Sequence, residues 1–563
     1  MSMNGSFARG CGSVSVAALL LSAAPALHAQ AVPTPGTVRE PLRKPAIEAP
    51  AVAPPSVTQP TPALRPEVPA GGPKIPVQRF AIEGNSAFSD DTLRAVIADL
   101  RGKPLTLLEI YSAADRLTAY YRAHGYTLAT VTVPAQKLSQ GTVRLAVVEG
   151  RLGHLGFEGN RRYSSAYLRR QMDELRSGDV IQRKVLEREL LLLNDLPGLT
   201  ARAVVKPGEK YGTADLLVRT GEQPLTASVQ LNNYGRESIG QIRGVGNLTF
   251  NDPLHLGDRL SLTVVHADGG RMNYGAVDYS LAVGPRGTRA GLSLSRFVYR
   301  VDTDAIGFAG QTLRGTGNDV RAQLTHPLIR SRRSNLIVGF GITHSESPQG
   351  GSLTPALVVD PKGGDRFVNL FDLSALYSYE HADNAISTFG VTVSSNFRHN
   401  RTGTRDNAQY GKFEFSASHT RALPAGWTLS ARANGVVALD PLMSIQRFRI
   451  GGPGNVRAFP SSELSGDQGF MVSLEGSHAI KLIDGVATRG RVFWDAGVVH
   501  RKPGSRAVSV EKGHESLTGV GTGVTVNWKR YTLDLEGVFP TDSHRTSDSK
   551  SNARFWLQIG AAF

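Results

Sequence analysis

The C-terminal part of the chain, residues 225–563, alternates apolar and polar side chains with a period of two and shows no sustained helical period. In the last segment one face carries only apolar residues, namely Phe555, Leu557, Ile559, Ala561 and Phe563. Alternation of this kind predicts β-strands with one apolar and one polar face. Alone it does not separate a soluble β-sandwich from a membrane barrel, because both alternate in this way.

The connections between these segments differ in length in a regular way. Sixteen segments begin near residues 225, 241, 259, 274, 288, 319, 336, 370, 387, 411, 427, 470, 489, 517, 531 and 553. Most connections after even-numbered segments are short, such as 381–385 and 529–530, whereas many after odd-numbered segments are long and polar, such as 345–369 and 440–469. Strands of about ten residues, short turns at one rim and long loops at the other are typical of outer-membrane barrels, where closure satisfies every backbone donor. The sequence therefore predicts an all-β, antiparallel transmembrane barrel of 16 strands over residues 224–563.

Two copies of one pattern precede the barrel, with a period of 75 residues. FAIEGN at residues 80–85 recurs as LGFEGN at residues 155–160. Each copy predicts strand, helix, helix, strand, strand, so we expect two small α+β domains over residues 75–151 and 152–223. In the first copy Ser89 is a predicted helix N-cap, and Thr106 with Glu109 has the spacing of a capping box.

The last predicted strand of each repeat is a candidate binding edge. Small sheets expose edges, and an edge accepts an extended peptide as an added strand. The candidate partner-binding residues share the apolar face of these strands and are Val143, Leu145, Val147, Ala214, Leu216 and Val218. The alternative is that the repeats are only spacers.

The N-terminus has the pattern of an export signal. Residues 1–31 combine Arg9, the short apolar run VSVAALLLSAA at residues 14–24 and a small-residue cleavage site, AQA, at residues 29–31. Residues 32–74 are rich in Pro and Ala and predict an extended linker. We therefore expect an exported chain that has no nucleic-acid partner.

The net charge and the cysteine count limit which binding partners and which kinds of site the chain could have. The chain has 63 Lys and Arg against 48 Asp and Glu, which gives a net charge of +15. This charge is compatible with binding nucleic acid, with an anionic membrane surface or with a channel lined by cations, and it does not discriminate among these roles. The single cysteine, Cys11, lies in the predicted signal peptide, so the mature chain would have no thiol for disulfides, structural zinc or nucleophilic chemistry. We expect no cofactor and no bound metal.

Four motifs carry a resemblance to a known family. They are LNNYG at residues 231–235, NDPLHLGD at 251–258, IGGPGNVRAF at 450–459 and FWDAG at 493–497. With the two repeats before them, these motifs resemble the outer-membrane transporters of two-partner secretion, the haemolysin-secretion and haemagglutinin-secretion type. That family belongs to the superfamily of barrels preceded by polypeptide-transport-associated (POTRA) repeats. The resemblance covers the whole chain after the linker.

The resemblance implies a site inside the barrel. In the family the loop corresponding to residues 440–469 folds inward, and its tip motif falls here on Val456, Arg457, Ala458 and Phe459. The matching motif of the barrel wall falls on Phe493, Asp495 and Gly497. Ala458 replaces the usual glycine, so a tip that required a positive φ there would be strained. The proline spacing of the linker also leaves little room for the helix that plugs many relatives.

The alternation supports a contact between the two motifs. Val492, Trp494 and Val498 have the parity of lipid-facing residues, which leaves Phe493 and Asp495 facing the lumen. A guanidinium and a carboxylate make a bidentate, directional contact, so we expect Arg457 to pair with Asp495 and hold the loop tip against the wall. The alternative is a solvated loop arginine and an ordinary pore-lining carboxylate.

The resemblance implies a function in export. The expected partner is a large secreted exoprotein, haemolysin-like or haemagglutinin-like, whose N-terminal secretion domain is recognised by the repeats. The barrel would lie as a monomer in the outer-membrane lipid of a Gram-negative bacterium, with the repeats in the periplasm. We do not expect an enzyme, because no nucleophile elbow and no His-Glu-x-x-His run occurs. The alternatives are a factor that inserts other barrels and a passive porin, although a porin would need no repeats.

Overall fold

The structure is a computed structural model of the chain. It describes residues 57–58, 72–137, 140–306, 312–347, 349–352, 367–396, 401–402, 405–406, 411–502, 513–544, 546–548 and 553–563. The predicted signal peptide and most of the predicted linker lie outside the described residues.

The first repeat is a small α+β unit. The N-terminal and first-repeat elements are β1 (Val57–Thr58), β2 (Ile75–Val77), β3 (Arg79–Glu83), α1 (Asp90–Val96), β4 (Lys103–Leu105), α2 (Leu107–Ala123), β5 (Thr130–Thr132) and β6 (Thr142–Val148). β6 is central, with β3 parallel on one side and β5 antiparallel on the other. β2 and β4 form a separate two-stranded ribbon that the sequence analysis did not predict.

The helices of this repeat begin where the sequence predicts. The Ser89 side chain accepts a hydrogen bond from Thr92 N at the start of α1. Thr106 and Glu109 form a complete capping box at the start of α2. Leu117 and Tyr121 of α2 are fully buried against the sheet. The caps satisfy backbone donors that the first helical turn leaves free, and the apolar stripe buries the helix on the sheet.

The second repeat has the same order of elements. They are β7 (Arg151–Glu158), α3 (Ser165–Gln171), α4 (Arg183–Asn194), β8 (Leu199–Pro207) and β9 (Thr213–Glu222). The sheet order is β1-β8-β9-β7, so β1 of the linker pairs in parallel with the outer edge of β8. In both repeats one glutamate at or just beyond the end of the last strand accepts backbone hydrogen bonds from the loop after the first strand. Glu149 accepts from Ser86 N and Ala87 N, and Glu222 accepts from Arg162 N.

The prediction of open edges at the last strands is wrong. β9 is a central strand that pairs with β7 and β8. β6 is also central, but β5 pairs only with its residues 146–148, and the Gln136 side chain bonds to Arg144 N and O in the stretch before them. The six candidate partner-binding residues are all buried and form part of the two cores: Val143, Leu145, Val147, Ala214, Leu216 and Val218. An added strand has to use an outer strand instead, and β3, β5 and β7 are outer strands within the described residues.

The remaining strands build a barrel. In chain order they are β10 (Leu225–Asn232), β11 (Arg243–Asn251), β12 (Arg259–Ala267), β13 (Met272–Ala282), β14 (Arg289–Val301), β15 (Thr312–Arg330), β16 (Ser334–Glu346), β17 (Gln349–Ser352), β18 (Phe367–Glu380), β19 (Ile386–Asn396), β20 (Arg401–Thr402), β21 (Arg405–Asp406), β22 (Gly411–Ala422), β23 (Trp427–Ala438), β24 (Phe448–Ile450), β25 (Leu464–Gly466), β26 (Gln468–Ile480), β27 (Ala487–His500), β28 (His514–Trp528), β29 (Tyr531–Pro540) and β30 (Arg554–Ala562).

The barrel is closed and antiparallel, which confirms the predicted fold class. β24 and β25 form a hairpin of their own, and β17, β20 and β21 are short additions in connections after odd-numbered wall strands, which leaves sixteen wall strands. Apolar side chains such as Val264 and Phe389 are exposed on the outer face, as the alternation predicts for a lipid-facing surface. Among the described residues, no helix is both long and apolar enough to cross a membrane.

The barrel closes where its first and last strands meet. β10 pairs with β30 over residues 228–232, and backbone hydrogen bonds between Ala227 and Phe563 and from Asn233 N to Leu557 O flank that stretch. Beyond that stretch the Asn233 side chain continues the pairing, since its amide donates to Phe555 O at 2.9 Å and its oxygen accepts from Leu557 N at 2.9 Å. The Asn233 side chain thus adds two hydrogen bonds to the backbone pairing at this end of the junction.

The second repeat is fixed to the rim of the barrel that carries the short turns. Arg330, at the end of β15, donates from Nε and Nη2 to both carboxylate oxygens of Asp195, at 2.8 Å each, and from Nη1 to Asn335 at 2.8 Å. Tyr167 donates to Leu256 O in the turn between β11 and β12 at 3.1 Å. These contacts set the position of the repeat beneath the pore.

Candidate functional site

The loop between β23 and β26 folds into the barrel. It contains the β24–β25 hairpin, and most of the segment between these two strands is buried, including the tip residues 456–459. Gly451, Gly452 and Gly454 have φ values of 106°, 102° and 78°, a backbone region that favours glycine. Asn455 donates to Arg449 O at 3.0 Å and so braces the turn. The glycine-rich part of the motif therefore shapes the tip.

Arg457 and Asp495 are in contact at the inner wall. Asp495 accepts hydrogen bonds from Arg457 N at 3.1 Å, Nε at 2.8 Å and Nη2 at 2.9 Å. The guanidinium also donates to Glu475 at 2.8 Å and lies over the Phe493 ring, 3.3 Å from its centre. Arg457 is 3% exposed and Asp495 is 1% exposed. The structure thus brings the two predicted motifs together in a bidentate, charge-assisted contact.

Further residues at the site were missed by the sequence analysis. Trp556 of β30 donates from its indole nitrogen to Arg457 O at 2.7 Å. Glu536 lies 3.5 Å from Arg457 and also accepts from Arg491 at 2.9 Å. These residues and Glu475 have the lumen-facing parity of their strands, so the alternation contained a signal for their direction. It contained none for which of them meets the tip.

Small residues give the tip its room. A Cβ added to Gly497 would lie 3.0 Å from Ile450 and 3.1 Å from Val456, so a side chain at this position of the wall motif would crowd the loop. A Cβ added to Gly519 would lie 2.3 Å from the Cβ of Ala458. Ala458 has no positive φ, so the strain considered for an alanine at this position is absent.

The apolar residues of the tip are part of the largest buried cluster of the barrel. Val456, Ala458 and Phe459 are buried, and Phe459 lies against the ring of His544 at 5.8 Å. The tip is therefore held by packing as well as by charge. Within the described ranges, no group of three or more His, Cys, Asp or Glu side chains is arranged to hold a metal ion.

Two family descriptions match the chain. "POTRA domain, ShlB-type" matches residues 75–150, and "Omp85 superfamily domain" matches residues 225–563, which is more than half of the chain. The chain belongs to the Omp85 superfamily. The sequence is 23% identical to the heme/hemopexin transporter protein HuxB of Haemophilus influenzae over 87% of each chain. It is 25% identical to the outer membrane transporter CdiB of Escherichia coli over 77% of this chain and 75% of CdiB.

The fold of this Omp85 chain is also that of a solved structure. CdiB from Escherichia coli superposes with a TM-score of 0.71 at 21% sequence identity, over 89% of this chain and 93% of CdiB. The matches confirm the resemblance to POTRA-plus-barrel transporters that the motifs indicated. They also confirm an outer-membrane barrel with its repeats in the periplasm.

Proposed function

We propose that this chain is the outer-membrane transporter of a two-partner secretion system and exports one large exoprotein. The buried contact between Arg457 and Asp495 carries the proposal, because it holds a folded-in loop inside the lumen. A pore that is closed by its own loop suits a dedicated substrate. A passive porin would not need the two repeats at its periplasmic end.

The two motifs have separate roles in this proposal. Val456, Arg457, Ala458 and Phe459 form the movable tip, and Phe493, Asp495 and Gly497 form the seat that receives it. Export requires the tip to leave the seat, since the lumen has to admit an extended chain. The polar lumen then offers that chain hydrogen-bonding partners along its path.

The repeats would recognise the N-terminal secretion domain of the exoprotein in the periplasm. An extended segment could add to an outer strand, and β7 is the longest of β3, β5 and β7. We propose a monomer surrounded by outer-membrane lipid, with no cofactor and no enzymatic activity. Folding of the exoprotein outside the cell would give export its direction, because the folded product cannot return.

The test compares culture media by mass spectrometry. The strains are wild type, a deletion, Arg457→Ala and a matched control, Arg321→Ala. Arg321 is also a lumenal arginine with a bidentate aspartate, Asp372, at 2.6 and 2.8 Å, but it bonds to residues of the barrel wall and not to the loop. We expect one large protein to be absent from the medium of the deletion and Arg457→Ala strains and present in the control.

Outer-membrane protein levels are measured in parallel. The proposal is contradicted if the deletion leaves the medium unchanged, which would favour a porin. It is also contradicted if many barrels decrease together in the membrane, which would favour a factor that inserts other barrels.

A further inference from the structure

A second buried carboxylate holds the folded-in loop at a place separate from the tip. Glu463 lies just before β25, and its side chain is 2% exposed. Its two oxygens accept hydrogen bonds from Ser547 N and Ser547 Oγ, each at 2.6 Å. Arg236 Nη2 lies 3.7 Å and His544 Nε2 lies 3.4 Å from the same carboxylate. A carboxylate this deeply buried is stable only with such partners.

The partners of Glu463 come from two extracellular connections. Arg236 belongs to the connection between β10 and β11, whereas His544 and Ser547 belong to the connection between β29 and β30. Arg236 also donates to Ser462 O at 3.1 Å and to Ser547 Oγ at 2.5 Å. The arginine therefore joins both connections to the loop. These connections lie beside the junction where β10 meets β30.

We infer that Glu463 is a second positioning residue for the loop, and that Glu463, Arg236, His544 and Ser547 form an outer anchor. The outer anchor and the Arg457–Asp495 contact share no ion pair or hydrogen bond among those described. The ring contact between Phe459 and His544 lies between them. The outer anchor thus fixes the segment just before β25, while Asp495 fixes the tip at Arg457.

The outer anchor couples loop movement to the junction of the first and last strands. If the loop leaves the lumen, Glu463 leaves Arg236 and Ser547, and both extracellular connections lose a charged partner. This consequence for export rests on the proposed function. The anchor itself does not, so it can be tested on the purified chain without an exoprotein.

The test is hydrogen–deuterium exchange of the full chain in detergent. It compares wild type, Glu463→Gln, Arg457→Lys and a control, Asp484→Asn. The control removes an exposed carboxylate that pairs with Lys481 in the turn between β26 and β27, at the other end of β26 from the loop. For Glu463→Gln we expect exchange about 10-fold faster or more at residues 461–467 and in the β29–β30 connection, because hydrogen bonds to a charged group are lost. Residues 456–459 should exchange as in wild type. Arg457→Lys should speed exchange at residues 456–459 and leave residues 461–467 and the β29–β30 connection as in wild type. The control should show no change in any of these segments.

Two results would overturn the inference. Unchanged exchange in Glu463→Gln would show that the carboxylate anchors nothing. An equal increase at residues 456–459 would show that there is one contact region and not two. If Glu463→Gln does not reach the membrane, Ser547→Ala is used, which removes a single hydroxyl donor. It should increase exchange by a smaller factor in the same two segments, and no increase there would also reject the anchor.

Discussion

The two residues of the ion pair between the second repeat and the barrel, Asp195 and Arg330, should differ in how much their replacement weakens docking. The Arg330 side chain is 3% exposed, whereas that of Asp195 is 27% exposed. Asp195→Asn would therefore leave a buried guanidinium without its counter-charge, with Asn335 as a neutral acceptor at 2.8 Å. Arg330→Gln would instead leave a carboxylate that water can reach. The first change should weaken docking of the repeat much more than the second.

Removing one partner of a buried pair costs about 3–5 kcal/mol. The amide introduced at residue 195 and the Asn335 oxygen still accept hydrogen bonds, so we expect Asp195→Asn to cost about 2–3 kcal/mol. Arg330→Gln should cost about 1 kcal/mol, as for a partly exposed pair. The double variant should dock better than Asp195→Asn alone, because it leaves no buried charge.

Docking is measured by electron–electron double resonance between spin labels at Tyr211 of the second repeat and Asp484 of a periplasmic turn, which are both highly exposed. The measurement is repeated at several urea concentrations, so that both the docked and the undocked populations are large enough to be measured. Asp195→Asn should raise the undocked-to-docked ratio about 30- to 150-fold and Arg330→Gln about 5-fold, at about 1.4 kcal/mol per factor of ten. Equal losses, or a larger loss for Arg330→Gln, would refute the reasoning.

Three further predictions concern the repeats and the seat of the tip. Burial would raise the pKa of Glu149, but hydrogen bonds from Ala87 and Ser86 outweigh it and hold the pKa below its usual value. The ionised Glu149 carboxylate should therefore stabilise the fold above about pH 4.3, and this stabilisation should be lost as the pH falls through the pKa of the folded state. Glu149→Gln should lower the unfolding free energy at pH 7 by about 1–3 kcal/mol and reduce the acid sensitivity in urea titrations at several pH values; an unchanged acid sensitivity would contradict this. Burial raises the pKa of Glu189 to about 7, so stability should fall as the pH rises from about 4.3 through 7. Glu189→Gln should raise the unfolding free energy by about 2–3 kcal/mol above pH 8 in the same titrations and leave it unchanged at pH 4. An increase at both pH values would mean that packing, and not the charge, is responsible. Gly497→Ala should weaken seating of the tip by about 1–2 kcal/mol, seen as more frequent openings in planar bilayers, and a wild-type opening frequency would contradict the steric reading.

The alternation predicted the barrel well because lipid and lumen demand opposite side chains. A lipid-facing parity for Val492 and Trp494 fixes the direction of Asp495 without any knowledge of its neighbours. The long polar connections likewise mark the extracellular rim. The tip motif on Arg457 came from the resemblance, since its residues alone are equally compatible with a solvated loop.

Sheet order in the repeats could not be read in the same way. Apolar residues such as Leu145 and Leu216 are expected on any strand whose one face is covered by helices, whether the strand is central or at an edge. Which strands flank it is decided by distant segments, and β6 pairs with β3 about sixty residues earlier in the chain. The β2–β4 ribbon was not predicted because its strands have only three residues each and Pro76 is paired with Pro104. A proline inside a short run argues against a strand.

The contacts that seat the loop join parts of the chain that are far apart in sequence. Trp556 reaches Arg457 across 99 residues, and Arg236 reaches Ser461 across 225. Contacts of such high contact order form late in folding, after the intervening chain has been organised. The loop can therefore be seated only when the first and the last strands are both in place. An unfinished barrel would still be open, and the completed barrel would close its own pore as the last step of its biogenesis.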